Sequence, residues 1–575
     1  MYKRILSAAI TLAISLQVSA QATVATNFKP TGQANPLSPC VFCADPTSLE
    51  YNGRLYVYGS NDHQQFIKTG KKGENGYGDI KSLVVFSTDD MVNWTFHGTI
   101  DVAKVCSSRW NIAASWAPSV AWRVKEDGTE EFFLYFANSG GSVGVLKANS
   151  PLGPWTSPLS KPMIDSSTGG VSPCNWIFDP GVVIDENGVG WISFGGGDPN
   201  NQGNDLQPNN ARFAKLNASM TGLSGKAIKI PAPYHFEASE LNIMDGKFVY
   251  TYCSSWRDRK DADWNAYLAE KGINVSKPGA CTMCYMVSDA PTDPNSWVYK
   301  GVYGPHSTAP NNHSHLQKYQ GKYYHIYHSG GLLQAMKDKN AVDANASTYR
   351  SICINEATVD ETTQTIKQVQ LDSKGVAPLK PLNPFELQQA ETMASCGGVN
   401  YEDFKNIKTI TSKNTLGNDA SENMYIKMAP GSWTSVRNVD FGENGAKSFI
   451  LRAKGTGTFE IRTASKGQPI ATMEFSSTTW EDHVMEIDPA VFKGTKNFLF
   501  LVFTEAQGVQ FDAWQFSESD VSAINIVPED IARPTARYDL NGRRLTNTQN
   551  NASIVIEQFI DKNGVKRSIK RANRK

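Results

Sequence analysis

The sequence is short of charge and has no imbalance of it: 19% of its 575 residues are Asp, Glu, Lys or Arg, and 56 basic residues match 56 acidic ones. A chain without net sign offers no electrostatic footprint for nucleic acid or an anionic membrane, so those partners are set aside. Long apolar runs are also missing. After residue 20 nothing approaches the roughly 18 apolar residues of a membrane span. The one earlier run, Ile5 to Leu16, follows Lys3 and Arg4 and precedes Val18-Ser19-Ala20, the pattern of a cleaved secretory leader. Cysteine is sparse. Nine residues, an odd number without a dense framework, exclude a small disulfide-stapled fold. Cys40/Cys43 and Cys281/Cys284 have C-x-x-C spacing, but no histidine stands at ligand spacing, so buried thiols or an incidental disulfide account for them better than zinc.

What the chain does have is glycine (46), proline (28) and aromatic residues (10%), the composition of a turn-rich β protein. A turn dipeptide followed by an aromatic alternating strand occurs five times: Asn52-Gly53, Asp127-Gly128, Asn187-Gly188, Asp245-Gly246 and Gln320-Gly321. The turn glycines recur at intervals of 58 to 75 residues, room for one four-stranded antiparallel blade each. Trp94, Trp155 and Trp297, each closing a strand-turn segment, mark outer strands. The pattern predicts a five-bladed β-propeller; an irregular β-sandwich with unrelated hairpins is the plainer alternative.

In a propeller the innermost strands line a central channel, and here these are the strands just before each turn. Asp45, Asp179, Glu237 and His313 lie eight or nine residues before their turn glycines, and Trp116 lies twelve before its own. Three carboxylates brought together in apolar strands are costly unless paired or neutralised, so their proton affinities should be driven apart. That describes an acid/base site. An Asp before Pro is often only a turn former, but the common offset across blades favours function. Glu240 competes with Glu237; simple strand alternation lets one of the two reach the channel.

The segment from Asn35 to Pro384 resembles glycoside hydrolase family 43, through ADP at Ala44 to Pro46, WAP at Trp116 to Pro118, SPLGPW at Ser150 to Trp155, FDPGVVID at Phe178 to Asp185, FEAS at Phe236 to Ser239 and NNH at Asn311 to His313. The resemblance implies a five-bladed propeller and an inverting mechanism, with Asp45 as general base, Glu237 as general acid and Asp179 as the residue that tunes the acid. It also implies that His313 helps hold a metal ion or water in the channel. Inversion requires the acid and base to stand about 6.5–9.5 Å apart. Trp116 and Phe236 are placed to stack on a sugar, and Asp62, His63 and Arg350 to bind its hydroxyls. Asp62 and His63 equally fit a solvated loop, and Arg350 an ion pair.

VAPLKPLNP reads as a linker ending the propeller segment (21–384), after which residues 385–519 alternate as a second all-β unit. This unit resembles a family 6 carbohydrate-binding module, a β-sandwich, through Ala390-Glu391, NVDFG at Asn438 to Gly442, Trp480 in a polar loop and DAWQF at Asp512 to Phe516. The resemblance implies a structural calcium held by Glu391 and Asp512, and a sugar platform of Trp480 with Tyr425. Trp480 fits a partly buried core position as well. Gln389 and Phe511 depart from the family pattern at the calcium site and the sugar cleft. Residues 520–575, with a basic end, read as a strand-forming sorting segment or an unstructured tail.

These readings imply an exported glycosidase, secreted, periplasmic or retained at the cell surface. It would be monomeric, without an organic cofactor, and would release α-L-arabinofuranosyl or β-D-xylosyl units from arabinoxylan or arabinan. The alternatives are an endo-acting arabinanase or xylanase of the same fold, and a non-catalytic hemicellulose-binding protein.

Overall fold

The computed structural model describes residues 24–197, 205–257, 259–406 and 424–520, and the backbone of three later strands. The leader read at residues 1–20 lies outside the described residues. Two compact units are present, one ending at Phe516 and one from Ser517 onward. In the second, Ala536–Tyr538, Ile554–Ile560 and Lys566–Ala572 pair as an antiparallel three-stranded sheet.

The first unit holds a five-bladed propeller. Its inner strands are Ala44–Tyr51, Trp116–Val124, Gly181–Ile184, His235–Met244 and Ser314–Tyr319, one opening each blade. The turn dipeptides fall where the spacing puts them. Asn52-Gly53, Asp245-Gly246 and Gln320-Gly321 are two-residue connections with both residues at positive φ, which matches the twist of the strands they join. Blades two and three use five-residue loops instead, between Val124 and Glu130 and between Ile184 and Gly190.

Why a ring forms is visible in a single strand of blade one, Arg54–Ser60. Leu55 and Val57 face one apolar core together with Tyr324, Ile326 and Ile352 of blade five. Tyr56 and Tyr58 face another with Val120, Phe132 and Leu134 of blade two. A strand apolar on both sides must be covered on both, so each blade packs between two neighbours until the circle closes. The chain's start completes it: the Leu37 N–H donates to Ile352 O at 2.8 Å and the Cys43 N–H to Arg350 O at 2.9 Å.

The sandwich is built on Ser432–Asp440, Ser448–Arg462, Ala471–Glu486 and Thr495–Ser517. It is fused to the propeller. Thr392–Met393 pairs with Thr95 and Trp94, adding a fifth strand to blade one, and a single core runs from Leu55 and Phe86 through Met393 to Phe449 and Phe516.

All nine cysteines are free thiols and eight are buried. Among the described residues no group of three or more His, Cys, Asp or Glu is arranged to hold a metal ion.

Candidate active site

At the mouth of each inner strand stands a non-glycine residue in the left-handed region: Asp45 (φ 50°), Ala117 (39°), Asp179 (48°), Ala238 (62°) and Asn311 (54°). This conformation costs roughly 1–2 kcal/mol per residue, and strain of this kind gathers at functional sites. Register shifts accompany it, between Ala44 and Thr47, between Trp116 and Ser119, and on both sides of Glu237. The regular pleat is thus broken where side chains must turn toward the axis.

These turns gather Asp45, Asp179, Glu237, His313 and Arg350 in one cavity of about 610 Å³, with Trp116 and Phe236 in its wall. Asp45 Oδ2 accepts from the Ser60 hydroxyl at 2.7 Å, and Oδ1 from Arg350 Nη1 at 2.7 Å. Its backbone N–H donates to His328 Nδ1 at 3.1 Å. Asp179 Oδ2 accepts the Ala238 N–H at 2.8 Å, one residue from Glu237. His313 Nδ1 stands between the two aspartates, 3.9 Å from Asp45 and 4.0 Å from Asp179. Glu237 Oε1 is buried and has no hydrogen-bond partner among the described residues.

The three carboxyl groups are all buried, yet their neighbours drive their proton affinities in opposite directions. Burial alone would raise Asp45, but Arg350, His328, His313 and the Ser60 hydroxyl together hold it below its ordinary value. Asp179 is pushed up to about 8 by burial, with the Asp45 and Glu240 charges adding to it against the Ala238 N–H and Arg350. Glu237 lies well above its ordinary value because it is buried and faces Asp179 and Asp45. Burial drops His313 to about 4, so its ring is neutral near pH 7.

The comparisons with known proteins bear on this geometry. Residues 33–361 match the model of glycosyl hydrolases family 43, and residues 389–518 that of the family 6 carbohydrate-binding module. The arabinoxylan arabinofuranohydrolase of Bacillus subtilis is 35% identical over 86% of this chain and 95% of its own length. That of Paenibacillus polymyxa is 34% identical over 89% of this chain and 79% of its own. A crystal structure of a family 43 arabinoxylan arabinofuranohydrolase from B. subtilis, in complex with cellotetraose, superposes with a TM-score of 0.75 at 32% identity, covering 87% of this chain and all of that one. The chain belongs to glycoside hydrolase family 43.

This family 43 enzyme is therefore a glycosidase of the inverting kind, with a carbohydrate-binding module following its propeller. Two of the residues expected to bind hydroxyls lie elsewhere. Asp62 is fully buried behind Arg350, accepting its backbone N–H, Nε and Nη2 at 3.0, 3.0 and 2.9 Å. His63 is also buried, accepts the Phe42 N–H at 3.3 Å and stacks on Tyr401 at 4.4 Å. Neither lines the cavity, because both open helix α1 (Asp62–Thr69), whose first turn packs inward. Arg350 does line it, but its guanidinium is occupied by the two aspartates and lies 5.0 Å over the Tyr77 ring. The expected choice between Glu237 and Glu240 also dissolves. The left-handed Ala238 interrupts the alternation, so Glu237 lines the cavity while Glu240 reaches across to blade five, 3.2 Å from His315 Nδ1.

The sequence reading missed Tyr77, Phe178 and Trp176 in the wall, and Trp256 on its rim. Trp176 and Trp256 are 38% and 39% exposed, and each meets Phe236 edge-on at 5.5 and 6.1 Å. Trp176 stands two residues before the FDP motif and was within reach of sequence reasoning. Trp256, in a connection beyond Lys247–Ser254, carried no signal.

In the module, Trp480 sits in a strand rather than in a polar loop, and meets Tyr425 at 5.5 Å. Both are half-buried in a cleft of about 750 Å³ whose far wall is propeller, including Phe96 and Thr99. Glu391 and Asp512 are neighbours through the Ala390 N–H, which donates to Asp512 O at 2.8 Å. Asp512 Oδ2 accepts from Arg452 Nε at 3.1 Å. Glu391 Oε1 is buried without a hydrogen-bond partner among the described residues, and burial pushes its carboxyl up to about 8.

Proposed function

We propose that the enzyme removes α-L-arabinofuranosyl branches from arabinoxylan, with Asp45 as general base, Glu237 as general acid and Asp179 as the residue that sets the acid's proton affinity. The observation that carries these roles is the opposite displacement of Asp45 and Glu237 in one cavity. Near pH 7 Asp45 is ionised, and Arg350 and Ser60 leave it able to take a proton from water. That water attacks the anomeric carbon from the face opposite the departing oxygen, and Glu237, protonated, gives its proton to that oxygen. Atoms balance: water's hydroxyl goes to the sugar and one proton to each of Asp45 and the leaving group, Glu237 being left ionised. Asp179, bonded to the backbone beside Glu237, fixes the acid's position, and because the two carboxyl groups face each other, ionisation of one raises the proton affinity of the other.

The choice of arabinose on a xylan chain rests on the names of the two relatives and on the rim of the cavity. Trp176 and Trp256 flank Phe236 and offer apolar faces to a polysaccharide chain while its branch enters the cavity. Incubation with nitrophenyl α-L-arabinofuranoside, nitrophenyl β-D-xyloside, wheat arabinoxylan and linear arabinan, beside Glu237→Gln, tests it. Free arabinose from arabinoxylan, lost in the variant, is expected. Xylose or oligosaccharides would move the substrate, and product persisting in Glu237→Gln would overturn the acid.

Trp480 and Tyr425 are read as the module's sugar contacts. Glu391, with its unpartnered buried oxygen, and Asp512 would hold a structural calcium, for which hard oxygen donors are suited. Arg452 competes for Asp512. Calcium would favour the ionised form of Glu391 and tie the turn that carries it to the strand that carries Asp512; the expected outcome is a Tm several degrees lower in EDTA than in calcium. His313, neutral between two carboxylates, fits the binding of a channel water. Export with loss of the leader at residues 1–20, and surface retention through 520–575, complete the reading.

A further inference from the structure

We propose that Asp62 is a positioning residue for the reaction, acting through Arg350 on Asp45, and that Tyr401 of the carbohydrate-binding module holds Asp62 in place. The inference rests on Asp45 being the base. Asp62 takes one edge of the guanidinium, Nε and Nη2, together with the Arg350 backbone N–H. With that edge fixed and the flat face over Tyr77, Nη1 points in a single direction, toward Asp45 Oδ1 at 2.7 Å. A planar fork gripped on one side aims its other side, which a lysine ammonium or a guanidinium held at one atom does not do.

Asp62 is itself only as fixed as the start of helix α1. Its neighbours on both sides are held by the module. The Asn61 amide donates to the Tyr401 hydroxyl at 3.1 Å, and to Ser82 Oγ at 2.9 Å. The His63 ring stacks on Tyr401 at 4.4 Å and 17°, with Phe42 on another side. Tyr401 opens a single 3-10 turn, Tyr401–Asp403, closed by Asn400 donating to Asp403 at 2.8 Å. Direct contacts thus run from the module to the base through three links, joining Tyr401, the Asn61–His63 segment, Arg350 and Asp45. The module then contributes to turnover of a substrate too small to touch it.

The test uses the full mature chain and nitrophenyl α-L-arabinofuranoside, comparing Asp62→Asn, Tyr401→Ala and Tyr401→Phe with Asp45→Asn. A misplacement of the base of about 1 Å lowers turnover on the order of 100-fold. Asp62→Asn is expected to lose kcat on that order with KM within about twofold. Tyr401→Ala is expected to lose kcat in the same KM-neutral way but less, and Tyr401→Phe, which keeps the stack, to recover most of it. A purely structural role would lower Tm without this split between kcat and KM. Wild-type kcat in Tyr401→Ala, or KM rising in step with the loss, overturns the proposal even if Asp62→Asn fails to fold. If Asp45→Asn keeps its kcat, the reading of the base fails first and the proposal falls with it; if Asp45→Asn is dead while the other variants are normal, the proposal alone fails.

Discussion

Asp45, Asp179 and Glu237 are chemically similar groups, all buried, and their environments separate them. The deciding neighbour is Arg350, which touches Asp45 and not Glu237. This fixes the pH dependence. Asp45, the proposed base, is held below its ordinary value, so kcat/KM keeps its activity into acid through the usual carboxylate range; Glu237, the proposed acid, lies well above its ordinary value and the neighbouring Asp179 is pushed up to about 8, so this pair gives up its protons only above neutrality. A broad plateau with an alkaline fall near or above pH 8 is expected in a kcat/KM profile. Loss of activity centred near pH 6 would contradict the assignment. The rim tryptophans carry a separate expectation: Trp256→Ala raises KM on arabinoxylan several-fold, because stacking is worth about 1 kcal/mol, and leaves KM on the nitrophenyl arabinoside unchanged.

The inner strands of blades one, two and four break register with their neighbours, and in blade four that irregularity is what makes the strand functional. Glu237 and Glu240 both stand inside the ring because Ala238 adopts φ 62° between them. A β-branched residue cannot take that conformation cheaply, whereas glycine can. Ala238→Val is expected to lower Tm and to cut kcat at least tenfold by moving Glu237. Ala238→Gly should stay within a few-fold of the native enzyme, as measured by thermal melts and arabinoside kinetics. Alternation read along the sequence fails here for the same reason: period-2 logic holds only while every residue stays in the β region.

The whole molecule is less divisible than its two matched families suggest. Thr392–Met393 completes the edge of blade one, and Leu55, Phe86, Met393 and Phe449 share one core. Ending the chain after Pro384 strips the outer edge of blade one and exposes that core. The shortened propeller is expected to melt well below the full chain or to aggregate on expression, which differential scanning calorimetry and gel filtration would show. A module that could be removed without loss of Tm would contradict the fused core.

The five turns and the apolar strands after them were readable in advance, because hairpin chemistry and two-sided burial are local properties of short segments. So was the position of Asp45, Asp179, Glu237 and His313, since a repeat fixes where each inner strand begins. The fates of Asp62, His63 and Arg350 were not readable. Asp45 and Arg350 are 305 residues apart, Asn61 and Tyr401 340 apart, and nothing local marks either pair. Closing the ring and folding the module against blade one brought these groups together. Burial then turned residues that looked like sugar ligands into partners of one another, Asp62 gripping Arg350 and Arg350 reaching Asp45, because a buried carboxylate must find its partner inside the protein.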